Sequence, residues 1–260
     1  MRVAVCISGL SRFPEGYKGL SDLEKYLKMD NVDKELEIDY YFYTWKTQYP
    51  PSIEGIQWTI KNFNVKKWVE VPQPFVDGKG INKEVIESVA KRTSHLNPEE
   101  IPNVNTLYCM WNAVYECNNL VKNSGVNYDA VIRTRFDLLF NSPIYLDSIA
   151  FPLGYVCIPN NHQQWGIFRG YEGEVANDQF AIGTPQTMDI YSSLIKRLDH
   201  IILAEVDSPK PTCSEAILYT HLRNNRILTQ HLSIMPYWNL IRNNNGTLID
   251  NHNNIIEENK

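Results

Sequence analysis

Two arginines and one aspartate stand at alternate positions near the middle of the chain: Arg133, Arg135 and Asp137. They follow the short apolar run 130–132, and alternate residues of a β-strand point to the same side, so we expect the three charges to share one face. Buried charges are costly unless they pair or bind a ligand. Guanidinium groups bind phosphates, and carboxylates bind divalent cations. The spacing therefore predicts a phosphate-bearing ligand, with a metal ion between the ligand and the carboxylate. An internal Arg–Asp ion pair is the alternative.

A second candidate binding segment follows the first apolar run. Residues 3–7 are apolar at each position, which is typical of a strand that helices cover on both faces, and Ser8 and Gly9 come next. Small residues at this place let backbone N–H groups approach an anion, and Arg12 is near enough in sequence to reach a phosphate. A plain tight turn is the alternative.

Strand-like and helix-like segments alternate along the first half of the chain and must position these side chains. Aromatic residues predict a strand at 38–45, which ends in Thr44 and Trp45. Apolar residues three and four apart predict a helix at 106–121. This alternation predicts an α/β fold with a mostly parallel central sheet flanked by helices. Ligands of such sheets bind beyond the carboxyl ends of the strands, so the candidate segments should meet at one edge.

The second half carries fewer regular elements. Polar residues precede a strand-like segment within 177–183, and a helix with proline in its first turn is predicted at 184–198. A further helix is predicted at 213–222, and a last strand at 227–234 carries His231.

Composition excludes several classes of function. The chain has 260 residues and a formal net charge of -5, and its 25 Lys and Arg are scattered, which argues against nucleic acid as a partner. No run approaches the roughly 20 apolar residues of a membrane span. Five cysteines without a CxxC pair indicate a reducing compartment. We therefore expect a soluble cytoplasmic protein.

Four segments together resemble a known family. The segments are VAVCISG (3–9) with Arg12, YTW (43–45), YDAVIRTRFDLLF (128–140) and NDQFAIG (177–183). They resemble the small glycosyltransferase-like proteins of bacterial polysaccharide clusters and large DNA viruses, which are similar to GT-A-fold nucleotide-sugar transferases. For a viral member, the resemblance implies a location in the host cytoplasm.

The resemblance implies a single GT-A-like domain over residues 1–235, followed by a polar tail at 236–260. Within the domain, it implies a Rossmann-like nucleotide-binding half at 1–140 and an acceptor half at 141–235. The implied activity is transfer of a sugar from a UDP- or GDP-sugar to a glycan acceptor, with Mn²⁺ or Mg²⁺ as cofactor.

The implied metal site is incomplete. GT-A enzymes usually hold the ion with Asp-x-Asp, whereas this chain has Arg135-Phe136-Asp137, so only the last carboxylate matches. The resemblance assigns the ion to Asp137, with Arg133 or Arg135 near the diphosphate. His231 is a further candidate ligand, and a packed or surface histidine is the alternative.

An inverting transferase also needs a base that accepts the proton of the acceptor hydroxyl. Asp178 is the first candidate, because it lies in the half that should face the acceptor; an aspartate that stabilises a turn is the alternative. Glu215 is the second candidate, although it could simply complement the dipole of its helix.

Aromatic residues complete the predicted site. Trp165 and Tyr171 are expected to stack on an acceptor sugar. Thr44 and Trp45 are expected to border the nucleobase, with packing of Trp45 as the alternative. Two other functions stay open: a non-catalytic nucleotide- or sugar-binding protein, and a sugar nucleotidyltransferase, for which the segment after the first strand is a poor match.

Overall fold

The computed structural model describes residues 1–11, 18–29, 35–46, 50–75, 78–93, 103–138, 140, 144, 146, 154–159, 175–204, 213–232, 240–241 and 248–249. The described strands are β1 (Arg2–Gly9), β2 (Glu37–Trp45), β3 (Val65–Val71), β4 (Ala130–Thr134), β5 (Tyr155–Pro159), β6 (Ala181–Gly183), β7 (Leu228–Leu232), β8 (Leu240–Ile241) and β9 (Leu248–Ile249). The described α-helices are α1 (Lys18–Met29), α2 (Pro50–Asn62), α3 (Lys83–Thr93), α4 (Val104–Lys122), α5 (Pro185–Ser192), α6 (Leu198–Ala204) and α7 (Ser214–Asn224).

One sheet organises the described part of the chain. Its seven strands have the order β3-β2-β1-β4-β6-β5-β7, and β8 and β9 form a separate antiparallel pair. Four of the strand pairs in the large sheet are parallel, and β6 runs antiparallel to both β4 and β5. The predicted α/β class, with a mostly parallel central sheet flanked by helices, is confirmed.

The central strands are apolar on both faces because a helical layer covers each face. On β1, Val5 belongs to the core that includes Leu23 of α1, whereas Cys6 belongs to the core that includes Trp111 of α4. Side chains of neighbouring strand residues point to opposite faces, so the continuous apolar run of β1 supplies both cores.

Helix α4 lies against β1 and β2 and supports the middle of the sheet. Asn103 caps its first turn, accepting hydrogen bonds from the backbone N–H groups of Asn105 and Thr106. Its apolar stripe buries Trp111 completely, as the three-and-four spacing predicts. Gly125, with φ of +72°, follows the helix in a conformation that favours glycine.

The helix predicted at 184–198 is wrong in one respect: α5 ends at Ser192, and a 3₁₀ segment over Ser193–Arg197 separates it from α6. The hydroxyls of Ser192 and Ser193 donate to the carbonyls of Asp189 and Ile190. Such serine bonds compete with the regular helical pattern and favour a tighter turn.

Among the described helices, none is long and apolar enough to cross a membrane.

Candidate active site

The candidate binding segments meet at the carboxyl edge of the parallel strands. Gly9 is paired with Thr44 at the ends of β1 and β2, and Ile7 is paired with Thr134 at the end of β4. The predicted common edge is therefore confirmed for Ser8, Gly9, Thr44, Trp45 and the end of β4, and what these residues bind stays a prediction.

Gly9 has the backbone geometry of a close-approach position. Its φ is +105°, where a residue with a side chain is strained, and an added Cβ would meet nothing within 4 Å among the described atoms. Among the described residues, the end of β1 thus leaves open space beside the backbone, as a bound ligand would require.

The antiparallel direction of β6 brings Asp178 to the same edge. Ala181, the first residue of β6, pairs with Arg133, so the residues before Ala181 lie past the end of β4. The side chain of Asn177 accepts from the backbone N–H groups of Gln179 and Phe180 at 2.7 and 3.0 Å. Asn177 thus holds this turn, and the neighbouring Asp178 is buried.

Glu215 reaches the edge through the first turn of α7. The N–H of Ala176 donates to the Glu215 carbonyl at 3.0 Å, which fixes the start of the helix against the segment that carries Asp178. Cys213, the residue before α7, donates its thiol proton to Glu215 Oε2 at 3.0 Å. Burial and the neighbouring Glu215 raise the pKa of Cys213 to about 12, so the thiol stays protonated and acts as a donor.

Arg135 and Asp137 do not share a strand face, so that expectation is wrong. Strand β4 ends at Thr134, and the chain turns directly afterwards. In the turn, Arg135 Nε donates to Asp137 Oδ1 at 2.8 Å and its terminal nitrogen donates to Oδ2 at 2.7 Å. The internal ion pair that the sequence left open is thus present, with the carboxylate only 6% exposed. Burial opposes the charge on Arg135, but Asp137, Asp178 and Glu215 together outweigh burial, and the pKa of Arg135 is raised.

Arg133 is a buried cation. Its side chain lies near Tyr191 and Asp178, and its residue exposure is 2%. Among the described residues, its Nε and one terminal nitrogen have no hydrogen-bond partner. Burial lowers the pKa of Arg133, although Tyr191 and Asp178 oppose this shift.

Other unsatisfied polar atoms lie at or next to the same edge. Within the described part of the chain, buried hydroxyl, indole or amide atoms lack a partner on Ser11, Thr44, Trp45, Thr134 and Gln179. Each such atom costs about 1–3 kcal/mol unless water or a ligand satisfies it. The indole nitrogen of Trp68 on β3, which packs against the apolar core, is also unsatisfied among the described residues. A ligand at the edge could offset the cost of the other atoms.

Several predicted site residues receive no test. Arg12, Trp165 and Tyr171 lie outside the described residues. His231 is on β7, three strands away from β4, and its backbone pairs with Ile158 of β5; its side chain lies outside the described part. Trp45 packs with Cys109 and Ala113, in agreement with the packing alternative.

The described residues do not fit the predicted divalent cation. Both Asp137 oxygens are occupied by Arg135. Within the described ranges, no group of three His, Cys, Asp or Glu side chains could hold a metal ion. A cation at Asp137 would have to displace a bidentate guanidinium.

Sequence reasoning missed Tyr191 and Cys213. Tyr191 is fully buried on α5, its hydroxyl donates to the Asn177 carbonyl at 3.4 Å, and it lies near both Arg133 and Asp178. The position of Cys213 two residues before Glu215 at a helix start was the available signal. Tyr191 offered none, since only the folded chain brings α5 to β4.

The site combines fixed cations with carboxylates that could accept protons. We call Arg133, Arg135, Asp137, Asp178 and Glu215 the charged cluster, because electrostatic interactions connect its members. A guanidinium with unused donors can bind an anion, and a nearby carboxylate can accept a proton from a hydroxyl.

The chain is similar to several solved structures, although its sequence matches no known family. No protein-family model matches it, and no curated protein matches it. Similar solved structures include core-mannan synthase A from Aspergillus fumigatus in its Mn/GDP form, with 13% identity, a TM-score of 0.49, and coverage of 85% of this chain and 69% of that one.

Two further solved structures are also similar to this chain. Mouse xyloside xylosyltransferase 1, in its apo form, has 11% identity and a TM-score of 0.44 over 89% of this chain and 84% of that one. The glycosyltransferase GlyE from Streptococcus pneumoniae has 10% identity and a TM-score of 0.42, and the match covers 89% of this chain but 45% of GlyE. The chemistry of this chain must be inferred from its own residues.

Proposed function

We propose that the chain is a glycosyltransferase that moves a sugar from a nucleoside diphosphate sugar, with UDP or GDP as the nucleotide, to a hydroxyl group of a glycan acceptor. The observation that carries this proposal is the burial of Arg133 with two nitrogen atoms that have no partner among the described residues. A buried guanidinium with unsatisfied nitrogen atoms, beside a carboxylate at the carboxyl edge of a parallel sheet, is suited to bind a diphosphate.

The proposed step balances as a displacement at C1 of the donor sugar. The acceptor oxygen bonds to C1 while the bond from C1 to the diphosphate oxygen breaks, and its electron pair leaves with the diphosphate. The acceptor hydroxyl proton passes to the carboxylate of Asp178, with Glu215 as the alternative base. Arg133 stabilises the additional negative charge that develops on the leaving group.

No step is assigned to Mn²⁺ or Mg²⁺, because the described donor set does not fit a divalent cation. If an ion bound at Asp137, it would supply charge neutralisation for the diphosphate. Binding roles for Arg12, Thr44, Trp45, Trp165 and Tyr171 stay predictions.

A nucleotide-binding protein without activity is the second candidate, favoured by the engagement of Asp137 in an ion pair. We would titrate the protein with UDP and GDP, then measure nucleotide release from a panel of UDP- and GDP-sugars with and without a glycan acceptor. Binding together with release of UDP or GDP supports the transferase.

Other outcomes of the same experiment contradict the transferase. Binding without release from any donor supports the non-catalytic protein. In a parallel assay with a nucleoside triphosphate and a sugar 1-phosphate, release of pyrophosphate supports the nucleotidyltransferase. Failure to bind either nucleotide contradicts the site as a nucleotide site.

A further inference from the structure

We propose that Arg135 is an internal cation that takes the place of a divalent metal ion on Asp137. The two nitrogen atoms of its guanidinium fork satisfy both carboxylate oxygens at 2.8 and 2.7 Å. Bidentate Arg–carboxylate pairs are both strong and geometrically specific, so the carboxylate has no remaining oxygen that is free of a cation.

Burial makes this pair difficult to exchange for an aqueous ion. Asp137 is only 6% exposed and Arg135 only 29% exposed. Removing one partner of a buried pair leaves the other charge uncompensated, which is strongly destabilising. An incoming cation would have to lose much of its hydration and also supply this compensation.

The charge balance of the cluster supports the substitution. Asp137, Asp178 and Glu215 all contribute electrostatically to Arg135, and Arg133 supplies a second positive charge nearby. With two guanidinium groups against three carboxylates, the cluster has a formal charge of −1 (2 − 3). Without Arg135 the same groups carry a formal charge of −2. A bound cation would then supply the positive charge that Arg135 had provided.

This inference deepens the proposed function. If a nucleoside diphosphate sugar is the donor, the charge that develops on the departing diphosphate is met by Arg133 and Arg135. Asp137 then acts as a positioning residue that orients Arg135, and turnover should not require added divalent cation.

The test is direct binding of Mn²⁺, which can be read without any activity. We would titrate Mn²⁺ by electron paramagnetic resonance into the wild type, Arg135→Gln, Asp137→Asn and the double variant Arg135→Gln/Asp137→Asn. We expect no saturable binding at this edge of the wild type. Arg135→Gln should bind Mn²⁺ at least about tenfold more tightly than the weakest binding that the wild-type titration could detect, and the double variant should lose that gain.

Two further variants control for charge and folding. Lys122→Gln breaks a 2.7 Å ion pair with Asp189 on another part of the molecule and should bind no additional Mn²⁺. Arg135→Lys keeps the charge but cannot form the bidentate pair, so it should show an intermediate gain and provides a readable variant if Arg135→Gln does not fold.

Two results would overturn the inference: wild-type Mn²⁺ binding that Asp137→Asn abolishes, or no gain of binding in either Arg135 variant. Nucleotide binding separates this failure from failure of the proposed function. A wild type that binds UDP or GDP equally with Mn²⁺ and with a chelator supports the internal cation, whereas a wild type that binds neither nucleotide contradicts the proposed function alone.

Discussion

At the scale of single residues, Arg133 is the side chain whose cost to the fold most requires a functional explanation. It is 98% buried and two of its nitrogen atoms have no partner among the described residues. Apolar residues of similar volume often replace buried charges without loss of stability, and an anionic ligand would explain this unsatisfied cation.

The variant Arg133→Met tests this explanation. We expect the free energy of unfolding to change by less than about 1 kcal/mol, because removal of an unsatisfied buried charge offsets the lost attraction to Asp178. Affinity for UDP or GDP should fall by about tenfold or more, because the anion loses a charged donor. Urea unfolding and calorimetric titration measure the two quantities.

Arg223→Met is the matched control, since Arg223 is exposed in the last turn of α7. It should change neither quantity by more than about 0.5 kcal/mol. A strongly destabilised Arg133→Met protein that still binds nucleotide normally would show that the guanidinium is a structural group.

At the scale of elements, one carboxylate joins the strands at the edge opposite the candidate site. Asp39 of β2 is 1% exposed and accepts from Arg2 of β1 at 2.9 Å, from Tyr128 before β4 at 2.8 Å and from Asn64 before β3 at 2.6 Å. Four neighbouring segments of the sheet are thereby held in register, away from the site.

Replacing Asp39 with alanine should therefore destabilise the fold without altering the site. We expect a loss of about 3 kcal/mol in the free energy of unfolding, because buried donors lose their common acceptor. Asp129→Ala is the control: it removes an exposed carboxylate that accepts from the Arg2 backbone, and should cost about 1 kcal/mol or less. Equal losses in the two variants would contradict the role of Asp39.

His221 joins α7 to α5 and gives this contact a dependence on pH. Its Nε2 donates to the Ile190 carbonyl at 2.8 Å inside the protein. Burial lowers its pKa, the carbonyl opposes the shift, and Arg197 adds to it. Ser193 and Asn225 are its other polar neighbours.

The sign of the effect follows from where the proton binds. Above pH of about 6.5, histidine is neutral in both states and the contribution of His221 to stability is fully present. Below that value the unfolded chain binds a proton that the folded chain resists, so stability falls by up to about 1.4 kcal/mol per pH unit. Urea unfolding between pH 7.5 and about 5 should show this slope, His221→Gln should reduce it, and His200→Gln, at an exposed position, should leave it unchanged. An unchanged slope in His221→Gln would contradict the assignment.

At the scale of the whole molecule, local patterns predicted the sheet but not its ends. The apolar run of β1 and the aromatic run of β2 were predictable because strands covered on both faces lack polar alternation. Pairing with β1 stops at Thr134, so Arg135 and Asp137 leave the strand and turn toward each other. That stop depends on a neighbouring strand, which strand periodicity alone could not indicate.

The candidate site was partly predictable for the same physical reason. Asp178 and Glu215 were identified from residue type and from their positions before a strand and at a helix start. The contacts that bind them into one cluster, through Tyr191 and Cys213, connect segments far apart in sequence. Such contacts follow from the antiparallel direction of β6, which the sequence did not reveal.

The most direct test of the central claim is transfer by variants of the proposed base. With a nucleotide sugar that the wild type turns over, we would measure UDP or GDP release and the mass of the glycosylated acceptor for the wild type, Asp178→Asn and Glu215→Gln. We expect Asp178→Asn to lose about 10²–10⁴-fold in turnover while it still binds the nucleotide, because it can no longer accept the proton. A folded Asp178→Asn protein with wild-type turnover would contradict the proposed base, irrespective of the result for Glu215→Gln. A wild type that binds UDP or GDP but transfers sugar from no donor would contradict the central claim itself.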